Sequence, residues 1–375
     1  MIDIQNKELC SGCGACASVC PKGCIAMVSD VEGFAYPEVN KELCIDCGLC
    51  SKRCPVLNKK EGSPKTVSAL AVRAKDEQLL LKSSSGGVFS LLAKSVLAQG
   101  GVVFGAAFCE DFTLKHIYIE NEQQLYKLQG SKYMQSEIGE CYLQAKNFLE
   151  QGRQVLFTGT PCQIGGLYAF LDKSYKNLIT QDIICHGVPS PMVWQSYNEH
   201  LQSKSGSRLS NVFFRDKRNG WKGYSLTFNF ENGAEYNHSR SEDLYFRAFL
   251  SNMCLRPSCH KCAFKDKYRQ SDITLADFWG IEKVCTDFDY KKGASLVIIN
   301  SQKGEVLFND ISKEVILHKV DFESAIKYNS AMLHSSPASE KRESFFKAVE
   351  QNGFKDVPKL LHVSIFKKIK GKFFK

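Results

Sequence analysis

Two stretches near the start of the chain space their cysteines as a metal–sulfide cube requires. Cys10-Ser-Gly-Cys13-Gly-Ala-Cys16-Ala-Ser-Val-Cys20-Pro21 reads C-x2-C-x2-C-x3-C-P, and Cys44-Ile-Asp-Cys47-Gly-Leu-Cys50-Ser-Lys-Arg-Cys54-Pro55 repeats it. Thiolate is the metal-binding form of cysteine. Three thiolates two residues apart wrap one corner of a cube, and the tight loop between them turns backbone N–H groups toward the sulfurs. Gly12, Gly14 and Gly48 permit the positive φ values such loops need. Pro21 and Pro55 keep the chain from continuing as helix. Zinc is the rival metal, but it prefers four ligands in two C-x2-C halves. Two complete four-cysteine runs fit two [4Fe–4S] clusters better. Cys24 lies outside both runs and reads as a spare thiol.

More thiols occur further along. Thr158-Gly159-Thr160-Pro161-Cys162 and Asp182-Ile-Ile-Cys185-His186 each follow a strand-like run, and Cys259-His-Lys-Cys262 supplies a C-x2-C pair. Ligands gather at the carboxyl ends of strands in open α/β sheets. Four thiolates from these three segments could enclose a third cluster; Cys259 and Cys262 could equally be half a zinc site. Cys109, Cys141 and Cys285 read as buried thiols. Ser83-Ser84-Ser85-Gly86-Gly87 opens a helix-like stretch. Serines cap free amides there, and glycines let backbone approach a ligand, which suits a phosphate. No G-x-G-x-x-G or Walker A pattern occurs, so a Rossmann nicotinamide site is not supported.

The elements that must position these residues alternate. Val67–Val72, Val102–Phe108, Arg153–Phe157 and Leu178–Ile184 are strand-like; Gly87–Gln99, Gly139–Gln151, Ile164–Leu171 and Met192–Gln202 have helical periodicity. That predicts an α/β domain with a mainly parallel sheet. From Val212 to Tyr236 the apolar residues alternate about a Glu231-Asn232-Gly233 turn, which predicts antiparallel strands. In the first module, Ile25–Val28 and Phe34–Val39 read as short strands. The expected organisation is a two-cluster domain over 1–60, a polar linker over 61–66, the larger domain over 67–320 and an extension over 321–375.

Composition limits the classes. The chain has 375 residues, 43% hydrophobic and 24% charged, enough for a sizeable core. Seventeen cysteines without an export signal point to a reducing compartment, and cytoplasm is expected. A formal charge of +9 admits nucleic acid as a partner, but no basic stripe is interleaved with aromatics, so none is expected. Four-thiolate [4Fe–4S] centres, at about −2 each, would offset much of the excess. The end of the chain, from Lys359 to Lys375, holds six lysines and no acids. It is read as a frayed terminus, with peripheral contact to an anionic membrane as the other reading.

The paired cysteine runs resemble the bacterial two-cluster ferredoxin. That resemblance implies an α+β ferredoxin-like module with crossed ligation: Cys10, Cys13, Cys16 and Cys54 on one cluster, Cys44, Cys47, Cys50 and Cys20 on the other. From about Thr66 to Asn300 the chain resembles the β-subunit family of coenzyme F420-reducing hydrogenases and dehydrogenases. The match is carried by Ser84-Ser-Gly-Gly-Val88, Gly130-Ser-Lys-Tyr-Met134, Leu156-Phe-Thr-Gly-Thr-Pro-Cys-Gln163, Asp182 to Ser190, Cys259-His-Lys-Cys262 and Asp272 to Gly280. The resemblance implies an α/β flavin domain with a nearby [4Fe–4S] centre on Cys162, Cys185, Cys259 and Cys262. It also implies a cradle for FAD or FMN from Ser84, Ser85, Gly86, Gly87, Lys132, Tyr133, Thr158, Gly159 and Thr160, with Asp277 and Trp279 lining it. Cys254, near the C-x2-C pair, could replace one of the four ligands. The expected function is an iron–sulfur flavoprotein oxidoreductase. A redox carrier such as ferredoxin delivers electrons, and a small organic substrate takes or gives them at the flavin. The alternative is a non-catalytic electron-transfer subunit of a larger redox complex.

Overall fold

The computed structural model describes residues 1–59 and 67–361. The expected linker over 61–66 and most of the basic tail lie outside the described residues.

Each N-terminal cysteine run starts a short helix. Ala15–Val19 begins at Gly14 (φ 75°) and Leu49–Lys52 at Gly48 (φ 70°), the left-handed conformation that only glycine adopts without strain. Between the runs, β1 (Ile25–Ser29) and β2 (Ala35–Val39) form an antiparallel hairpin with Ile25 opposite Val39. Its turn is closed by the Asp30 carboxylate, which accepts from the Glu32 and Phe34 amides.

The larger part is mixed α/β. Its strands are β3 (Ser68–Ala74), β4 (Val102–Phe108), β5 (Leu114–Ile119), β6 (Val155–Thr158), β7 (Leu178–Ile183), β8 (Leu209–Asp216), β9 (Ser225–Phe230), β10 (Glu235–Ser239), β11 (Ile273–Asp277), β12 (Ser295–Ile299) and β13 (Val315–Val320). Eight of them make one sheet in the order β13-β3-β12-β11-β7-β6-β4-β5. Only the β11-β7-β6-β4 stretch is parallel; the other neighbours are antiparallel. The expectation of a mainly parallel sheet is therefore corrected to a mixed one. The helix-connected repeat that predicts parallel pairing ends at β7. The chain then builds a separate antiparallel sheet, β10-β9-β8, before β11 re-enters beside β7. That second sheet, with its Asn232-Gly233 turn (Gly233 φ 83°), is as expected.

Both faces of the large sheet are covered. Val103, Leu156 and Ile179 pack toward helix Val88–Ala98. Their sequence neighbours Phe104, Val155, Phe157 and Leu178 pack toward helices Cys141–Glu150 and Pro161–Leu171. Alternating residues of one strand thus serve two cores, which is why these segments read as continuous apolar runs. A third, aromatic core joins helix Pro191–Ser205 to the smaller sheet through Trp194, Tyr197, Phe214, Phe228, Tyr245 and Phe246.

Candidate iron–sulfur and flavin sites

The N-terminal thiols sort into two groups in space. Burial pushes the Cys16 thiol up to about 12, and the charges of Cys10 and Cys54 act on it next. Cys13 is pushed up to about 12 by burial, with Cys16, Cys10 and Cys54 adding to it. These four share one neighbourhood. Cys20, Cys44, Cys47 and Cys50 line a second cavity together with Cys24. The last cysteine of each run thus lies with the first three of the other. An amide already faces one sulfur: Ile2 N–H donates to Cys50 Sγ at 3.1 Å.

A third group forms at the carboxyl edge of the large sheet. Cys162 follows β6 in the first turn of helix Pro161–Leu171, Cys185 follows β7, and Cys259 and Cys262 belong to the turn that begins at Pro257. Burial raises the Cys162 thiol, and the charges of Cys262 and Cys185 raise it further. Cys259 is raised by burial, then by Cys185, Cys162 and Cys262. Thr160 Oγ1 lies 3.0 Å from Cys162 Sγ, and Val188 N–H donates to Cys259 Sγ at 3.4 Å. Among the described residues no three His, Cys, Asp or Glu side chains converge tightly enough for one metal ion. The thiolates of a cube each take a different iron, so such convergence is not what a cluster needs. Cys254 stays apart: it is sealed in the aromatic core, burial pushes it up to about 12, and none of these four thiols acts on it. Cys141 is buried as expected, but Cys109 and Cys285 are only half-buried.

The first and third groups adjoin. Cys13 adds to the electrostatic load on Cys162. Helix Pro161–Leu171 passes so close that a Cβ on Gly166 would lie 3.1 Å from Cys13 Sγ and 2.6 Å from the Tyr142 hydroxyl. Arg256, fully buried and missed by sequence reasoning, ties the groups together. Its guanidinium donates to Cys10 O (2.7 Å), Gln135 Oε1 (3.0 Å) and Ala35 O (2.9 Å), lies 3.6 Å from Cys10 Sγ, and sits over the Tyr36 ring. Three residues later comes Cys259, whose amide donates to Arg256 O.

The expected flavin residues line the same sheet edge. Gly87 (φ 84°) starts helix Val88–Ala98 with no side-chain cap, leaving the first amides of the helix for a ligand. Gly86 is glycine for packing: a Cβ there would collide with Val72 O. Ser84 Oγ accepts from Ser131 N–H, and Ser85 Oγ donates to Ala294 O. Lys132 is not a surface lysine. It donates to the carbonyls of Leu128, Gln129 and Gly130, and burial pushes it down to about 7. Tyr133 packs among Phe214, Phe246 and Phe249, with its hydroxyl 3.3 Å from Arg215 Nη1. Asp277 pairs with Arg215 through both oxygens (2.5 and 3.2 Å) and accepts from Trp221 Nε1. Trp279 stacks on Trp221 at 5.4 Å, and Arg215 lies 3.8 Å over Tyr224. Thr158, Gly159 and Thr160 sit further along the edge, at the end of β6. Thr158 Oγ1 donates to Phe104 O and its carbonyl meets His116 Nε2; Gly159 N–H donates to Gln181 O; Thr160 caps its helix with Gln163.

Most of these polar groups are satisfied within the protein. What remains is the uncapped helix start and Arg215 Nε, a buried donor without a partner. With the tryptophan pair, that set fits an anionic aromatic ligand such as a flavin. Arg215, Lys217 and Trp221 were missed. The signal was the run Arg215-Asp216-Lys217-Arg218, which sits where a strand ends and was read only for its alternation. Lys217 spans the edge, donating to Leu80 O, Ser85 O and Lys292 O.

Residues 152–325 match the family model for the C terminus of the coenzyme F420 hydrogenase/dehydrogenase beta chain, and residues 9–58 match a 4Fe–4S dicluster domain. The middle of the chain is thus similar to the FrhB/FdhB C-terminal family, and its start to a two-cluster iron–sulfur domain. Among solved structures, a chain from the F420-reducing [NiFe] hydrogenase complex of Methanosarcina barkeri aligns at 18% identity and TM-score 0.48. The alignment covers 72% of this chain and 93% of that one. No curated protein matches this chain. The FrhB/FdhB family is one of oxidoreductase subunits. No helix among the described residues is long and apolar enough to cross a membrane.

Proposed function

We propose that this chain is an iron–sulfur flavoprotein oxidoreductase that relays electrons between a ferredoxin-like carrier and an organic substrate. Cys10, Cys13, Cys16 and Cys54 hold one [4Fe–4S] cluster, Cys20, Cys44, Cys47 and Cys50 a second, and Cys162, Cys185, Cys259 and Cys262 a third. The flavin, FAD or FMN, lies at the sheet edge between Ser84–Gly87, Lys132, Tyr133 and Asp277. Clusters of this kind pass single electrons and a flavin pairs them for two-electron chemistry on a substrate. The chain's own residues set the order. Arg256 places a buried positive charge beside Cys10, favouring the more negative, reduced state of the nearby centre. Gly166 lets the helix bearing Cys162 approach Cys13. Arg215, held by Asp277, offers its remaining donor to an anion, and the tryptophan pair stacks beside it, with Trp221 Nε1 bonded to the same Asp277.

The observation that carries this reading is the meeting of Cys162, Cys185, Cys259 and Cys262 next to Cys13. Purification without oxygen, with iron, sulfide and flavin measured per chain, tests it. About 12 irons and one flavin are expected. About 8 irons would remove the third centre, and a flavin-free chain would remove the enzymatic reading.

One observation favours an electron-transfer subunit instead. Cys47 is exposed, and Leu43 (57% exposed) and Ile45 (59%) stand out beside it, an apolar tip of the kind that docks on a partner. On that reading the isolated chain accepts electrons from a strong reductant yet turns over no small molecule until the partner is added.

A further inference from the structure

The cavity that gathers Cys20, Cys44, Cys47 and Cys50 contains a fifth thiol. Cys24 Sγ lies 3.3 Å from Cys20 Sγ, and Cys44 lines the same cavity close enough to act on it electrostatically. Cys24 is 5% exposed and lines the same cavity as the other four. The backbone places it there. Residues 20–23 form a turn closed by Gly23 N–H to Cys20 O at 3.1 Å, with Gly23 at φ 58°. The turn folds Cys24 back over Cys20. The Cys24 carbonyl is then pinned by Asn40 N–H at 2.8 Å as the hairpin begins. An ordinary packing thiol faces apolar atoms, whereas this one faces sulfurs.

We infer that Cys20 and Cys24 are interchangeable fourth ligands of the second cluster, either one completing the set with Cys44, Cys47 and Cys50. This rests on the dicluster reading of the N-terminal domain. The exchange is a ligand swap with no change in electron count. The Cys24 sulfur binds the iron and gives up its proton, the Cys20 sulfur leaves that iron, and the leaving thiolate takes the proton. The short distance between the two sulfurs means the swap needs side-chain rotation and no rearrangement of the chain. The device lets the cluster survive loss or modification of one thiol at the side of the module where Cys47 is exposed.

The test uses the full-length protein, purified without oxygen, with iron and sulfide counted per chain. Alanine is the substituent because serine oxygen can itself bind iron. Cys20→Ala retains the wild-type iron content, Cys47→Ala loses about four irons, and Cys20→Ala/Cys24→Ala loses about four. A Cys20→Ala protein that has already lost about four irons overturns the inference. A wild type without iron overturns the dicluster reading instead, so the two failures are distinguishable. Cys24→Ala alone supplies a second measurement that does not require removing an expected ligand. Its loss of iron to a chelator is roughly tenfold faster than wild type if Cys24 recaptures the cluster. Equal rates overturn the inference.

Discussion

Arg256 has no exposure to solvent, yet its guanidinium is met by two carbonyls, an amide oxygen, a sulfur and an aromatic face. Such an ion is stable only while every partner stays. Arg256→Met leaves those acceptors buried without a donor and is expected to cost about 3 kcal/mol, read as a lower unfolding midpoint of the oxygen-free protein. Arg256→Lys recovers part of that, because one ammonium cannot reach all three oxygens. His116 gives a pH dependence. Its ring lies between Ser136 Oγ (2.9 Å) and Thr158 O (3.0 Å), and burial pushes it down to about 4. The unfolded chain therefore binds a proton in the window between about 6.5 and 4 that the folded chain refuses. Stability is full above that window and falls as pH drops through it, by up to about 3 kcal/mol. In His116→Gln, unfolding measured from pH 7 to 4 should lose that part of the slope.

At the scale of elements, the carboxyl ends of β3, β6, β7 and β11 lie on one edge, and every candidate residue of the larger domain hangs from a loop that leaves it or crosses to it. Helix Pro161–Leu171 is the element that brings this edge to the N-terminal module. Gly166→Leu inserts a side chain where Cys13 and the Tyr142 hydroxyl already stand. Overpacking of this kind costs about 1–3 kcal/mol. It also separates the two thiol groups, so rapid-mixing reduction should reach the first two centres at the wild-type rate and the third more slowly. Most of the longer helices and strands up to β10 were legible because each keeps a single period over its length; β5 (Leu114–Ile119) and the short helix Glu77–Lys82 were not read. β11, β12 and β13 were not, although β12 is a plain apolar run, Ser295-Leu-Val-Ile-Ile299. Each pairs with a strand far away in sequence, β11 with β7 and β12 and β13 with β3, and local periodicity carries nothing about that. The same holds within the site. Cysteine spacing exposed eight thiols and the family resemblance pointed to four more, while Arg215 and Arg256 acquire their roles only through distant acceptors.

For the whole molecule, the proposal makes the third centre separable from the first two. Cys162→Ala should lower iron by about four per chain and leave the remaining eight or so in place, because the first two clusters draw all their proposed ligands from residues 10–54. The module is clasped on one side, at its hairpin. Arg342 forms a paired salt bridge with Glu32, Phe34 meets Phe346 at 6.3 Å, and Ser190 Oγ donates to Glu32 O. The β1–β2 turn, some thirty residues into the chain, is therefore clasped by residues more than three hundred positions later. A polypeptide emerging from the ribosome completes its cysteine runs early but cannot bury Phe34 until residue 346 exists. Until then the hairpin's apolar tip is bare, so a chain released before that point would present a metal-loaded head with a sticky flank, and only the finished product would stay apart from its neighbours.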